Sequence, residues 1–265
     1  MSKSDKRAII RTLRTAADLG LSLIYPPRCP LCETVLPIAR RIRPEGQERS
    51  CWERPLICDD CRGKLPYNSG AVCLRCGTCI ADEREEYCRD CLLRERLFRQ
   101  GMSVFLYQGK MRDSLMRMKF HNHREYIPFY ADEMKRASEA FLRRAQPSVI
   151  IPVPMHERKR RERGFDQCAL LARRFSECSG IPVQTDNVVR VRYTKPQKGL
   201  NAQERRNNLK NAFSVRRPQE LSGPVLVIDD IYTTGTTMDA MASVLLENGC
   251  GPVFFLTLCC ARIMQ

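Results

Sequence analysis

The chain has 265 residues, of which 43% are hydrophobic and 28% are charged. This composition supports a buried core and argues against both global disorder and an integral membrane protein. Lys and Arg outnumber Asp and Glu by 45 to 30, which gives a formal net charge of +15. Such a balance favours an anionic partner, which could be nucleic acid, a phosphorylated metabolite or a membrane surface.

Residues 1–26 are predicted to form an N-terminal amphipathic helix, because residues 8–25 carry apolar side chains on a helical period. Two prolines follow at once and end it. Three charges among eighteen residues argue against a membrane span. The apolar face could pack on the protein's own core or lie on a membrane surface, so membrane association is left open.

Ten of the fifteen cysteines lie between Cys29 and Cys91. We recognise no secretory signal and therefore expect a reducing, cytoplasmic environment, where clustered thiols act as metal ligands rather than disulfides. Eight of the ten form four C-x-x-C pairs, which predicts two closed four-thiolate zinc sites of structural rather than catalytic type. The predicted ligands are Cys29, Cys32, Cys58 and Cys61 for one site, and Cys73, Cys76, Cys88 and Cys91 for the other.

Residues 27–95 are accordingly predicted to be a double zinc-ribbon module. Gly77 directly follows the C-x-x-C turn, or knuckle, of Cys73 and Cys76. It supports the second ribbon because the tight turn there favours glycine. Two further cysteines leave the ligand assignment open. Cys79 forms an overlapping C-x-x-C with Cys76, and Cys51 lies in the long insertion of the first ribbon.

Residues 100–265 alternate short apolar strands with helical segments. The predicted strands lie at 103–107, 149–153, 188–191, 224–229 and 253–258, and the predicted helices at 110–120, 124–144, 165–178 and 238–248. Continuous apolar strands separated by helices predict an α/β domain whose parallel sheet has helices on both faces.

The most informative motif is residues 225–237, VLVIDDIYTTGTT. A buried strand brings Asp229 and Asp230 to its carboxyl end, where ligands bind in open α/β sheets. The hydroxyl-rich loop Thr233–Thr237 opens a helix, and its backbone amides form a cradle for an anion. The carboxylates suit sugar hydroxyls, so the motif predicts a ribose 5-phosphate site. The alternative is an ordinary turn in which a threonine caps the helix.

This segment resembles the signature of type I phosphoribosyltransferases. Together with the cysteine pairs, residues 150–167 (IIPVPMHERKRRERGFDQ) and residues 194–213, it makes residues 20–262 resemble the ComF family of competence proteins. The resemblance implies a site for phosphoribosyl pyrophosphate with Mg²⁺, and Asp229 and Asp230 as catalytic residues. The substrate-binding residues it implies are Asp229, Asp230, Ile231, Tyr232, Thr233, Thr234, Gly235, Thr236, Thr237, Pro154, Met155 and Arg163.

Two positions depart from the pattern of that family. Asp166 stands where Asn is typical in R-G-F-N-Q, and Asn122 stands near a usual glycine. We expect the additional carboxylate at residue 166 to weaken phosphate binding.

Two basic segments, residues 158–163 and 194–210, add positive charge to this domain. Either could contact a phosphate chain, although a solvated helix start and an exposed loop are the simpler explanations. The residues predicted to contact nucleic acid are Lys159, Arg160, Arg161, Arg163, Lys195, Lys198, Arg205 and Arg206.

The ComF resemblance implies a role in natural transformation and DNA uptake. The protein would bind incoming single-stranded DNA in the cytoplasm, alongside the competence helicase ATPase. The alternative is an active, Mg²⁺-dependent phosphoribosyltransferase of unknown acceptor. The sequence leaves catalysis open, because no set of residues resembles a pocket specific for a purine or a pyrimidine.

Overall fold

The computed structural model describes residues 25–37, 39–42, 51–53, 55–191 and 212–261, with 40–42 and 51–53 described by their backbone alone. The predicted N-terminal helix lies almost entirely outside these residues, as does the second basic segment. The chain divides into two compact units, residues 1–65 and 66–265. This division falls between the two predicted zinc ribbons, so the second ribbon belongs to the larger unit.

The described part of the smaller unit contains an antiparallel pair of strands and a short helix. Strand β1 (Arg40–Ile42) pairs with β2 (Cys51–Glu53), and helix α1 (Asp59–Arg62) follows. Among its described residues the buried apolar side chains are few, with Leu31, Leu36 and Ile57 among them. A core this small needs another source of stability, which in proteins of this size is commonly a metal ion or a disulfide.

The larger unit is an α/β domain, as predicted. In chain order it contains α2 (Arg89–Leu93), β3 (Gln100–Leu106), α3 (Gly109–Phe120), α4 (Ile127–Ala145), β4 (Val149–Pro152), α5 (Glu157–Arg163), α6 (Gln167–Ser179), β5 (Val188–Arg190), β6 (Phe213–Val215), β7 (Val225–Tyr232), α7 (Thr236–Glu247) and β8 (Val253–Cys260). Single 3₁₀ turns lie at Arg124–Tyr126 and Pro218–Glu220. Within the described residues, no helix has both the length and the hydropathy needed to cross a bilayer.

The central sheet has four parallel strands in the order β3-β8-β7-β4. Every residue of β8 is buried, as expected for an inner strand covered on both faces. Helices α4 and α6 pack on each other and on the sheet. Alternate residues of β7, Val225 and Val227, join a core with Met241 and Leu245 of α7. The predicted arrangement of helices flanking a parallel sheet is confirmed.

Two strands differ from their predicted form. β7 continues through Asp229 and Asp230 to Tyr232, because pairing with β8 extends to Tyr232↔Cys260. β5 lies where a strand was predicted, but it pairs antiparallel with β6 in a separate ribbon rather than joining the parallel sheet. Buried Asn187 holds this ribbon, since it donates to the carbonyl of Arg217 (3.0 Å) and accepts from the amide of Arg217 (2.8 Å).

Phe255 is the most crowded aromatic residue in the sheet. Its ring stacks on Tyr232 at 4.9 Å and meets Phe98 edge-on at 4.9 Å. Gly101 lies directly opposite on β3, and a Cβ there would be 1.9 Å from the Phe255 ring. Only glycine leaves room for this ring between the two strands.

We expect Gly101→Ala to lower the free energy of unfolding by about 1–3 kcal/mol, because the added methyl group displaces the Phe255 ring. Urea denaturation measures this change. Gly63→Ala is the matched control, since Gly63 has φ −71° and no atom within 4 Å of an added Cβ. Equal denaturation midpoints for Gly101→Ala and the wild type would contradict the requirement for glycine opposite the Phe255 ring.

Candidate functional site

Two clusters of four cysteines have the geometry of zinc-ribbon sites. Each brings four sulfur atoms within 4.8 Å of one another, and the members are Cys29, Cys32, Cys58 and Cys61 in one cluster and Cys73, Cys76, Cys88 and Cys91 in the other. The Cys32–Cys58 and Cys76–Cys88 sulfur separations are both 3.6 Å. Four ligands ~2.3 Å from a tetrahedral zinc ion lie roughly 3.8 Å apart, whereas a disulfide requires about 2.05 Å. Both clusters could therefore bind a metal ion.

The electrostatics of the clusters also fit a cation. Burial, together with Cys32 and Cys58, raises the pKa of Cys61. In the second cluster, hydrogen bonding to the neighbouring thiols raises the pKa of Cys91. Four crowded thiolates repel one another, and a bound cation removes that cost. With four sulfur ligands the coordination is closed, so the metal would stabilise the fold rather than activate water.

The overlapping C-x-x-C pair is resolved in favour of Cys76. The Cys79 thiol contacts the carbonyl of Ile80 at 3.7 Å and is not part of the sulfur cluster. Gly77 adopts the left-handed φ of +67° that the knuckle turn was expected to need. The side chain of Cys51 lies outside the described residues.

A cavity of about 280 Å³ lies at the carboxyl ends of β4 and β7. Its volume is at the lower end of the range for small-molecule sites. The residues that line it come from β7, from the loop after β4, from helices α3, α5, α6 and α7, and from β5. They are Lys119, Val153, Pro154, Met155, Lys159, Arg163, Gln167, Cys168, Arg190, Asp229, Asp230 and Thr237.

Asp230 is the centre of a buried hydrogen-bonded network. It pairs with Lys119 Nζ at 2.9 Å and accepts from Gln167 Nε2 at 2.8 Å. Arg163 donates in turn to Gln167 Oε1 at 2.6 Å. Burial opposes the ionisation of Asp230, but Lys119 holds the pKa of this carboxyl below its ordinary value.

Asp229 has the opposite electrostatic character. Its Oδ1 accepts from the Cys168 thiol (3.2 Å) and from the amide of Asp230 (2.8 Å). Burial and the neighbouring Asp230 charge raise the pKa of Asp229 to about 7. The two adjacent carboxyls therefore differ in ionisation near neutral pH, a property common among functional carboxyl pairs.

The loop after β7 leads into the N-terminus of α7. Gly235 precedes the helix at φ +75°, and no side chain caps the first turn. The first amides of a helix have no partner within it, so this end can bind an anion. The Thr234 and Thr236 hydroxyls hydrogen-bond each other at 2.9 Å, and Thr237 reaches the cavity.

The other predicted substrate-binding residues of this segment lie in different environments. The Tyr232 ring is buried in the core, Ile231 is half-buried and Thr233 is exposed. Pro154 and Met155 line the cavity, as their predicted role requires.

Basic residues outnumber acidic ones around the cavity, with four cations beside two carboxyls. Lys159 and Arg163 of α5 are among the cations, whereas Arg160 and Arg161 are exposed on the same helix. Burial, with Arg190 and Arg163 nearby, lowers the pKa of Lys159, as expected where cations lie close together. The remaining residues predicted to contact nucleic acid lie outside the described part of the chain, and they are Lys195, Lys198, Arg205 and Arg206.

Three curated relatives align with most of the chain. The chain is 30% identical to Competence protein F of Haemophilus influenzae over 213 residues, which cover 72% of this chain and 91% of that protein. It belongs to the ComF family. Competence protein ComFC of Bacillus subtilis is 30% identical over 200 residues (73% and 79% covered). DNA utilization protein YhgH of Escherichia coli K12 is 28% identical over 221 residues (79% and 96% covered). No family model matches the chain.

Both departures from the ComF pattern have a structural account. Asn122 adopts φ +61°, a left-handed conformation that asparagine tolerates better than most residues other than glycine. Asp166 caps α6 by accepting from the amide of Ala169 at 3.0 Å, and its second oxygen accepts from the amide of Met155 at 3.2 Å. The amide of Met155, one of the predicted substrate-binding residues, is thus already bonded to a carboxylate.

Sequence reasoning missed Lys119, Gln167 and Arg190 as residues of the site. Gln167 belongs to the R-G-F-D-Q segment, so the motif itself contained a signal for it. Lys119 ends a helix more than a hundred residues before Asp230, and Arg190 lies on the separate ribbon. Only the folded chain brings these cations to the acidic pair.

The raised pKa of Asp229 predicts a pH dependence of stability. Between about pH 4 and pH 7 the folded protein keeps a proton that the unfolded chain has released. The free energy of unfolding should therefore fall as pH rises through this range, by up to about 1.4 kcal/mol per pH unit, and change no further above pH 7. Urea denaturation of the wild type and Asp229→Asn at several pH values measures this contribution, which the variant lacks.

The control for this measurement is Asp113→Asn, which alters an exposed carboxyl of α3. The wild type and Asp113→Asn should show the same slope between pH 4 and pH 7. The same slope in Asp229→Asn would show that Asp229 does not hold the proton.

Proposed function

We propose that this protein acts in natural transformation, handling incoming single-stranded DNA in the cytoplasm, and that its cavity is a phosphoribosyl-pyrophosphate-type site. The names of its relatives, which refer to competence and DNA utilization, support the proposed role in natural transformation. The net charge of +15 favours a polyanionic partner. The single observation that carries the site is the pair of adjacent carboxyls, one buried and one half-buried, in a basic cavity beside a helix N-terminus whose N-cap is Gly235.

Each part of a phosphoribosyl ligand has a matching group in this arrangement. Ribose hydroxyls would donate to the carboxyls of Asp229 and Asp230. The 5-phosphate would accept from the amides and hydroxyls of residues 233–237. The pyrophosphate would lie near Lys159, Arg163 and Arg190, whose mutual repulsion an anion relieves.

Magnesium would be bound by the phosphoribosyl ligand and would enter the site with it, rather than being coordinated by protein side chains beforehand. Both oxygens of Asp230 already have partners, in Lys119 and Gln167, so direct coordination would have to displace a buried ion pair. When bound, Mg²⁺ would neutralise charge on the pyrophosphate oxygens. Lys119 and Gln167 keep Asp230 ionised and oriented for the sugar.

A second function, an active phosphoribosyltransferase of unknown acceptor, is favoured by the pKa of Asp229. A carboxyl that titrates near neutral pH is suited to accept a proton from an attacking nucleophile. The Cys168 thiol contacts the same oxygen and would hold it in place. This activity is compatible with a role in DNA handling, because an anion site can serve both.

Single-stranded DNA would bind outside the cavity. Arg160 and Arg161 lie on the exposed side of α5, next to the residues that line the cavity. The predicted basic loop with Lys195, Lys198, Arg205 and Arg206 would extend the contact. The proposed protein partner is the competence helicase ATPase, and the predicted N-terminal amphipathic helix would provide any peripheral contact with the membrane. The two metal ions are proposed to be zinc.

Asp229→Asn should weaken binding of Mg²⁺–phosphoribosyl pyrophosphate about 10- to 100-fold, because hydrogen bonds to a charged group contribute about 1.5–3 kcal/mol. Calorimetric titration at pH 8, with and without Mg²⁺, measures this change. Asp113→Asn should bind as the wild type does. Equal affinity of the wild type and Asp229→Asn would exclude Asp229 from the sugar site.

Replacing Arg160 and Arg161 together with Gln should weaken binding of single-stranded DNA and leave sugar-phosphate binding unchanged. Two lost phosphate contacts should lower the steepness of the salt dependence by about 1.4 in a plot of log affinity against log salt. Fluorescence anisotropy at several salt concentrations gives this slope. The pair Arg143→Gln and Arg144→Gln, on exposed positions of α4, removes the same charge as a control. An equal loss in that control would mean that only net charge matters.

A further inference from the structure

The second cysteine cluster shares a hydrophobic core with the sheet of the larger unit. Cys73, Cys76 and Cys88 are buried in the same cluster of side chains as Tyr232 and Phe255. Tyr232 ends β7, directly before the Thr233–Thr237 loop. Tyr232 and Cys76, one of the four clustered sulfur residues, therefore pack in one core. The cysteine cluster lies on the core side of the loop.

Arg96 makes a second connection between the cluster and the loop. Its side chain is 2% exposed, and its Nη1 donates to the carbonyl of Thr234 at 3.0 Å and to Asp239 Oδ2 at 2.7 Å. Its Nη2 forms an ion pair with Asp90 at 3.8 Å. Asp90 stands between the ligands Cys88 and Cys91, on the five-residue helix α2. One buried cation thus joins the metal-binding knuckle, the loop and the first turn of α7.

The loop is packed tightly against both connections. A Cβ at Gly235 would lie 2.5 Å from Tyr232 Oη and 2.8 Å from Arg96 Nη1. The backbone of the loop can therefore move towards neither side chain. Arg96 and Tyr232 thus support the loop from the core side.

A metal ion bound at the second cluster would keep this support in place. A helix of five residues is not stable by itself, so α2 would depend on coordination by Cys88, which precedes its first residue, and by Cys91, its third residue. Loss of the metal would leave three buried thiols and one half-buried thiol without a cation and would release α2. Asp90 and Cys76 would then no longer hold Arg96 and Tyr232 against the loop.

We propose that Arg96 is a positioning residue for the Thr233–Thr237 loop, and that metal bound at the second cysteine cluster fixes the loop through Arg96 and Tyr232. The affinity of the loop for a sugar phosphate then depends on the metal, although the metal never contacts the ligand. The dependence of sugar-phosphate affinity on the metal rests on the proposed function. The role of Arg96 and the metal in positioning the loop does not rest on it.

Hydrogen–deuterium exchange on the full chain tests the role of Arg96. Arg96→Met should raise the exchange rate of amides 233–239 by about tenfold or more while metal content, measured by elemental analysis, stays the same. Arg96→Lys should restore most of the protection, because an ammonium group can still donate to Thr234 or Asp239. Arg99→Met is the matched control, since Arg99 is three residues away and exposed. Equal exchange at 233–239 in Arg96→Met and Arg99→Met would overturn the proposal.

Metal removal tests whether metal at the second cysteine cluster fixes the loop, and β8 serves as an internal reference. Stripping the metal with a chelator should raise exchange at 233–239 well before it raises exchange at Val253–Cys260. Cys91→Ser should have the same local effect, whereas Cys32→Ser, in the first cluster, should leave 233–239 unchanged. Simultaneous loss of protection in the loop and in β8 would overturn the proposal, because the metal would then merely keep the whole unit folded.

A binding measurement separates this proposal from the proposed function. Ribose 5-phosphate is titrated into the wild type, Arg96→Met and Arg96→Lys, and we expect about tenfold weaker binding to Arg96→Met with recovery in Arg96→Lys. Wild-type protein that fails to bind ribose 5-phosphate would refute the proposed site, while the exchange data would still decide the role of Arg96. Normal binding to Arg96→Met would refute the link between Arg96 and affinity.

Discussion

The enclosure of two adjacent carboxyls at the end of β7, with Asp230 buried and Asp229 half-buried, is the constraint around which the larger unit is organised. Removing two neighbouring negative charges from water is costly unless cations or protons compensate them. The protein uses both solutions. Lys119 neutralises Asp230 directly, and Asp229 keeps its proton up to about neutral pH. The ends of α3 and α6 meet at this point because each contributes a partner of the pair.

The same constraint explains why the site is suited to an anionic sugar. The cavity holds more cations than the carboxyls require, and the additional cations, Lys159, Arg163 and Arg190, lie where an anion would enter. A ligand with hydroxyls at one end and phosphates at the other satisfies both halves of the site. Exposed arginines of α5 extend the positive surface beyond the cavity, which makes the proposed roles in sugar-phosphate and DNA binding physically compatible.

The two cysteine clusters have different structural settings despite their common geometry. The first stabilises a small unit with few buried apolar residues. The second is part of the main hydrophobic core, where Tyr232 and Arg96 lie between it and the loop before α7. One kind of ligand set thus stabilises a small fold in one unit and supports a functional loop in the other. The difference depends on what packs against the sulfur ligands rather than on the ligands themselves.

The sequence determined the features that depend on local pattern. Short apolar strands alternating with helices predicted the α/β fold, the C-x-x-C spacing predicted both sulfur clusters, and residues 225–237 predicted the strand, loop and helix around Asp229 and Asp230. Tertiary structure alone decided which distant side chains complete the site. Lys119, Arg190 and Arg96 carry no distinctive local pattern, since a basic residue at a helix end, in a short strand or in a loop is usually exposed. Their roles arise because the fold brings residues distant in sequence, more than a hundred positions apart for Lys119 and Arg96, into enclosed surroundings where charge must be paired.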